Sequence, residues 1–316
     1  MFKIIQRRKT YFLISAILIG LGLAAMVASI ITTGAPFQVG VDFRSGTRFE
    51  VIFLEPVSEN EIREVFNDFG YNNPAVTSFE GENFQNAWQI RTEFIGLAEA
   101  QEIEDALARE VAPLNTEATL VESVSPALGS EVRQAAIVAI SVAALIILFY
   151  IMFAFRQVPN PIRFGACAVA AMVHDVLVTL GFIAIAGMIA GWEVDALFLT
   201  AILTVAGFSL QDTIVVFDRI RENIQRRPNE DYETLVNRSI LETIHRSLST
   251  QLAAMFILVA ILLFGGASVK PFIAALLVGL FSGTFSSIFT AVPLLVAWEK
   301  GEIPFLNRER AVAAAS

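Results

Sequence analysis

Six long apolar stretches limit what this chain can fold into. They run over Tyr11–Thr32, Ala135–Phe155, Phe164–Ala190, Ala196–Phe217, Gln251–Gly266 and Phe272–Trp298. About 20 apolar residues carry an α-helix across a bilayer. Of the 316 residues, 55% are hydrophobic, above the roughly 45–50% of a soluble domain. The chain therefore reads as a polytopic α-helical membrane protein with six transmembrane helices. The fifth stretch is the shortest and can borrow Leu248–Thr250. The first has the basic flank of a secretory signal, but it exceeds the apolar core of about 7–15 residues such signals carry, so it reads as an uncleaved span.

Lys and Arg set the orientation. They gather at the N-terminus (Lys3, Arg7, Arg8, Lys9), at Arg156 and Arg163, and between the fourth and fifth spans (Arg219, Arg221, Arg226, Arg227, Arg238, Arg246). The C-terminus adds Lys300, Arg308 and Arg310, whereas the opposite side's short connections carry only Lys270. Both termini are thus expected to be cytoplasmic. The resulting organisation is a cytoplasmic N-terminus and first span (1–33), an outer domain (34–133), and a five-helix bundle (134–298) with a cytoplasmic connection at 218–248. A cytoplasmic tail (299–316) follows. With one cysteine, Cys167, no disulfide can form within the chain. With two histidines, His174 and His245, no zinc-type cluster is readable, and no metal or cofactor is expected. A pI near 4.9 argues against nucleic-acid binding.

Residues 34–133 carry 18 acidic and 6 basic side chains, a net of −12, so this insertion accounts for the acidity of the whole chain. Its pattern is β-α-β-β-α-β. Strands are expected over Thr47–Leu54, Ala75–Phe79, Ala87–Thr92 and Ala118–Val124. Helices are expected from a Ser58 cap through Phe69, with Glu61 completing a capping box, and over Leu97–Val111. That order is the split-βαβ, ferredoxin-like arrangement, an α+β fold.

Within the fourth stretch lies Asp212, in Phe208-Ser-Leu-Gln-Asp-Thr-Ile-Val-Val-Phe217. A carboxylate at membrane depth costs roughly 2.5–3.5 kcal/mol, and such residues mark proton or ion paths by default. Ser209 shares its face at i−3, Thr213 follows it, and Gly207 would admit a close neighbouring helix. Asp218, six residues on, reads as a solvated helix end with local ion pairs. The cation expected to answer Asp212 is Arg246, which opens the polar run Arg246-Ser-Leu-Ser-Thr-Gln251. Alone, that arginine also fits a simple positive-inside marker. His174 and Asp175 sit near the middle of the third stretch, about 100° apart on a helix and so expected to face different ways. They suit either helix pairing or an ion path. Gly187–Gly191 and Gly279–Gly283 are small-xxx-small pairs that suggest tight helix contacts. Ser282, Thr284, Ser286 and Ser287 add a polar patch to the last stretch.

These residues, taken in order, resemble the SecF family of protein-export membrane proteins, part of the Sec translocase and of the wider RND superfamily. The resemblance rests on Gly40-Val-Asp-Phe-Arg-Ser-Gly46, on His174-Asp175 with Thr179-Leu-Gly181, and on the run from Gly207 to Asn223. His245-Arg-Ser-Leu248, Phe264-Gly-Gly266 and Gly283-Thr-Phe-Ser-Ser-Ile288 extend it. It implies an RND-like half with a ferredoxin-like periplasmic domain in the cytoplasmic (inner) membrane. It also implies a six-span SecD partner, association with the SecYEG channel and YajC, and an unfolded exported protein as client. The implied function is not enzymatic: with SecD, the proton-motive force drives translocation. The family's coupling carboxylate falls on Asp212 and its coupling arginine on Arg246. His174, Asp175, Ser209 and Thr213 would support them, and Gly40, Asp42 and Gly46 would form a turn coupling span to domain. This chain has Gln211 where the family often has Asn, and Gln251, Ala253 and Ala254 where it is often richer in Thr. The alternative readings are an RND-type small-molecule or lipid exporter subunit and a membrane scaffold without energy coupling.

Overall fold

Long apolar segments whose prolines fall in the first turn form unbroken helices, and this shapes the molecule. The computed structural model describes residues 4–78, 86–116, 118–158, 160–266 and 269–303. The expected tail residues from 304 onward, with Arg308 and Arg310, the end of the second expected strand at Phe79, and Lys3 lie outside them. In chain order the elements are α1 (Arg8–Thr33), α2 (Val41–Arg44), β1 (Gly46–Ile52), α3 (Glu59–Asp68), β2 (Ala75–Ser78), β3 (Ala87–Thr92), α4 (Leu97–Ala106) and β4 (Leu120–Val124). There follow α5 (Pro126–Ala154), α6 (Pro161–Ala190), α7 (Ala196–Arg226), α8 (Tyr232–Phe264), α9 (Lys270–Ser286) and α10 (Val292–Glu299). A π-helical turn over Leu107–Val111 extends α4, and another over Ser287–Ala291 joins α9 to α10.

Two compact units result, Val39–Val138 and the remainder, Met1–Gln38 with Ala139–Ser316. In the smaller unit the strands form one antiparallel sheet in the order β2-β3-β1-β4, the split-βαβ order the sequence suggests. Period-two alternation sends Phe49 and Val51 of β1 and Ile90 of β3 to one face. There they pack on Ile62, Val65 and Phe66 of α3 and on Ile103 of α4. The capping box forms: Ser58 accepts from the Glu61 N–H, and the Glu61 carboxylate accepts from the Ser58 N–H at 2.8 Å. These bonds hold the Glu61 carboxyl below its ordinary value. The Gly40–Gly46 segment is more than a turn, since Val41–Arg44 is helical. Gly46 has φ 134°, and a Cβ there would lie 2.5 Å from the Thr92 carbonyl oxygen, so only glycine fits.

Among the described residues six helices are long and apolar enough to cross a membrane, the second of them running from the smaller unit into the larger. α6, α7 and the α9–α10 run are its interior, whereas the apolar lengths of α5 and α8 are largely uncovered. The expected fifth span, Gln251–Gly266, is part of a longer helix: α8 starts at Tyr232, where Asp231 caps it through the Thr234 N–H at 3.1 Å. No glycine or proline interrupts residues 232–264, so the amphipathic connection and the span are one rod. Likewise α7 continues past Phe217 to Arg226, and Pro228 follows its end.

Close helix contacts differ from the small-residue motifs. Gly279 and Gly283 do abut α7, at Val205 and Ser209. Gly187 instead meets the Trp192 carbonyl, and Gly191 is the left-handed cap of α6 with nothing beside it. The expected close approach at Gly207 is also absent, for that position is open. A close backbone-to-backbone crossing is Gly22 of α1 on Gly181 of α6, where a Cβ on Gly181 would lie 2.5 Å from the Gly22 Cα.

Candidate functional site

Three interior helices meet where α9 has no side chain. A methyl on Gly283 would lie 3.3 Å from the Ser209 Cα of α7 and 3.6 Å from the Asp175 Oδ2 of α6. Around this junction the sequence concentrates its membrane-depth polar groups. A carboxylate in such a place must be bonded or its burial is costly.

Asp212 lies one turn along α7 from Ser209 and is 3% exposed. Its Oδ2 accepts a 2.7 Å hydrogen bond from Gln251 Nε2 of α8, itself buried. The expected partner, Arg246, is elsewhere: among the described residues no ion pair joins it to Asp212. Arg246 stands five residues before Gln251, about 7.5 Å along the helix axis. It lines a cavity of about 540 Å³ shared with Tyr150, Phe155, Asp218, Arg219, Glu222 and Glu242. The other arginines of that cavity are engaged: Arg219 with Glu222 and Glu242, and Arg221 with Asp218 at 2.6 Å. Asp218 is thus the locally paired helix end the sequence suggests. Ser209, buried one turn from Asp212, has a hydroxyl with no hydrogen-bond partner among the described residues, and Ser247 of α8, also buried, faces the Asp212 carboxyl. The Thr213 hydroxyl turns back to the Ser209 carbonyl at 3.0 Å, which occupies its donor.

The second buried carboxylate is Asp175, fully enclosed. Ser282 donates to its Oδ1 and Ser286 to its Oδ2, each at 2.6 Å. The expectation that His174 and Asp175 face apart is corrected. Their Cα–Cβ bonds diverge, but side-chain rotation brings His174 Nδ1 within 3.0 Å of Asp175 Oδ1. The polar patch on the last span therefore serves chiefly as a pair of donors to α6. Gly40, Asp42 and Gly46 belong to the sheet-bearing unit and flank or form α2.

Sequence reasoning chose Asp212 because it is alone in an apolar run, but it missed Gln251 as the group that holds it. The one signal was the polar face following Arg246. Ser282 and Ser286, four residues apart on one face, were visible only as a patch without a partner.

A βαββαβ unit inserted between the first two of six membrane-length helices, with two acidic side chains sealed among the inner helices, defines an integral membrane protein with acids buried in its bundle. Residues 103–301 match the family described as protein export membrane protein SecD/SecF, C-terminal. The chain is 42% identical to the protein translocase subunit SecF of Thermobaculum terrenum over 100% of both chains. It is also 42% identical to that of Anaerolinea thermophila over 96% of both. The chain belongs to the SecF family of protein translocase subunits. Among solved structures it resembles SecDF, a translocon-associated membrane protein from Thermus thermophilus, with TM-score 0.78 and 29% identity over 95% of this chain. It also resembles SecDF in a super-membrane-facing form, with TM-score 0.62 and 27% identity over 99% of this chain. The chain spans 39% and 40% of those two solved chains.

Proposed function

We propose that this chain works with a SecD-like six-span partner beside the SecYEG channel, and with YajC, to draw unfolded exported proteins across the cytoplasmic membrane with the proton-motive force. Both termini are cytoplasmic and the sheet-bearing unit is periplasmic in this reading, as the Lys and Arg distribution favours. The observation that carries it is Asp212, a buried acid within an apolar span held by a neutral amide, with Arg246 in no ion pair among the described residues and lining a cavity about 7.5 Å along the same helix from that amide. A neutral donor can hold either protonation state of the acid, whereas an arginine in contact holds only the anion. Movement of Arg246 toward and away from Asp212 would thus bind and release a proton. Each proton crossing delivers about 2.3 kcal/mol per 100 mV, before any pH difference. The chain passes between the two units at Gln38–Val39, just ahead of Gly40–Gly46, and within α5, and these covalent joins would carry the movement to the periplasmic unit and its client.

The partner has its own support. The uncovered face of α7 carries Thr200, Thr204, Gly207 and Gln211 at helical spacing, a small and polar face that lipid tails do not satisfy and a neighbouring helix does. The test of the coupling is Asp212→Asn. We expect the variant to insert and co-purify with its partner, and to lose the proton-gradient-stimulated part of export in inverted vesicles. Undiminished stimulation would sink the proton reading. Retained export after joint replacement of Asp212 and Arg246 by apolar residues would leave a scaffold.

A further inference from the structure

His174 and Asp175 form a sealed pair whose proton inventory the geometry constrains. Asp175 accepts from Ser282, from Ser286 and from His174 Nδ1. A carboxylate only accepts, so the hydrogen-bond network assigns the ring hydrogen to Nδ1, and the neutral imidazole keeps its lone pair on Nε2. That Nε2 is buried, on a side chain 4% exposed, and has no hydrogen-bond partner among the described residues. It is a basic atom aimed into the bundle with nothing bonded to it. With an ionised carboxyl and a neutral ring, the pair has a net charge of −1 inside the bundle. One proton added at Nε2 converts it to an imidazolium–carboxylate pair of zero net charge and leaves all three bonds to Asp175 in place.

The surrounding elements offer few other ionisable groups at this depth. α1 packs on α6 and brings Ser15, which bonds to Thr290 at 3.0 Å, and Tyr11, whose ring lies tilted against Phe289; its Arg8 and Lys9 lie at its start. α9 and the π-helical turn after it bring serines and Thr290, with Lys270 only at the far end. α10 brings Glu299, already paired with Arg163 of α6 itself. Cys167 lies two turns away on α6. From α7 come Ser209 and Asp212. The Ser209 hydroxyl is buried, has no hydrogen-bond partner among the described residues, and stands at the Gly283 junction beside Asp175.

We propose that His174 and Asp175 are a second proton-binding site, filled at His174 Nε2, and that the Ser209 hydroxyl links this site to Asp212. The step is a proton transfer: the Nε2 lone pair takes a proton, the donor keeps the electron pair, and Ser209 passes one proton on as it receives another. The bundle then holds two proton stations in series. The role in coupling rests on the reading of Asp212 given above; the existence of the site does not.

The chain has two histidines, so His245→Gln leaves His174 as the only one. Full-length His245→Gln protein, labelled with ¹⁵N-histidine and placed in lipid nanodiscs, is examined by solid-state NMR over a pH series. At the alkaline end we expect Nδ1 protonated and Nε2 not; on acidification the Nε2 resonance shifts to the protonated position. With Asp175→Asn added, that transition moves to a different pH or disappears. An Nε2 protonated throughout, an Nε2 unprotonated throughout, or a transition unmoved by Asp175→Asn overturns the proposal. If Asp175→Asn does not fold, Ser286→Ala serves in its place, with the same expected shift and the same overturning result. Normal export by Asp212→Asn would remove the coupling reading and leave the NMR result standing, so the two failures are distinct.

Discussion

Gln251 determines how Asp212 sits, and this is the point at the residue scale where sequence and structure part. Asp212 was legible because a lone acid in an apolar run has one physical meaning, an expensive group retained for a reason. Its partner was not, because charge alone favours the nearest arginine. Geometry favours Gln251, which lies deeper on α8 and reaches Oδ2 at 2.7 Å. Replacing Gln251 with Leu leaves a buried acceptor without its donor, at a cost of about 1–3 kcal/mol. We therefore expect the purified Gln251→Leu protein to unfold at lower temperature than the parent. In an Asp212→Leu background the same substitution should cost much less, because no buried acceptor is left stranded. A double-mutant cycle on thermal unfolding measures the difference. Equal costs in the two backgrounds would show that Gln251 contributes by packing rather than by holding the acid.

At the scale of elements, long periodic segments were legible and their contacts were not. All six spans and the βαββαβ order follow from apolar length, alternation and a capping box, each a local signal. The merging of the 232–250 connection with the fifth span is also local, once the lack of glycine and proline is counted. Which glycine touches which helix depends on crossing geometry, and the GxxxG pattern does not encode it. Gly187–Gly191 matches the pattern but makes no helix contact, whereas Gly22 and Gly181 cross with no pattern to announce them. The contrast is testable with two alanines. Gly207→Ala faces open space and gains helix propensity of about 1 kcal/mol, so it should leave the unfolding temperature unchanged or raised. Gly181→Ala gains the same propensity but drives a methyl to within 2.5 Å of backbone. Overpacking costs about 1–3 kcal/mol, so its unfolding temperature in detergent should fall. The opposite ranking would mean that α1 is not held by this crossing.

At the scale of the whole molecule, the chain is unequally covered. α6, α7 and the α9–α10 run bury about half or more of their apolar length, yet α7 also turns an uncovered face outward. That face differs from the other uncovered ones. On α8 it is Phe256, Ile257 and Leu263, all more than 60% exposed, as lipid contact requires. On α7 it is Thr200, Gly207 and Gln211. The two threonine hydroxyls return to their own helix, Thr204 to the Thr200 carbonyl at 2.8 Å and Thr200 to the Ala196 carbonyl at 3.2 Å. Gln211 has no such recourse, because its amide is too long to bond back neatly, and an unsatisfied amide in hydrocarbon is costly. The sequence foretold a partner only through family resemblance; the exposed stripe supplies a physical reason and a location. Single cysteines at 207 and 211, in a chain whose only native cysteine, Cys167, is buried, should cross-link to a six-span SecD-like protein when the two are expressed together. A cysteine at 256 should not. Cross-linking at 256 with none at 207 and 211 would put the partner on α8 and leave the polar face of α7 without an explanation.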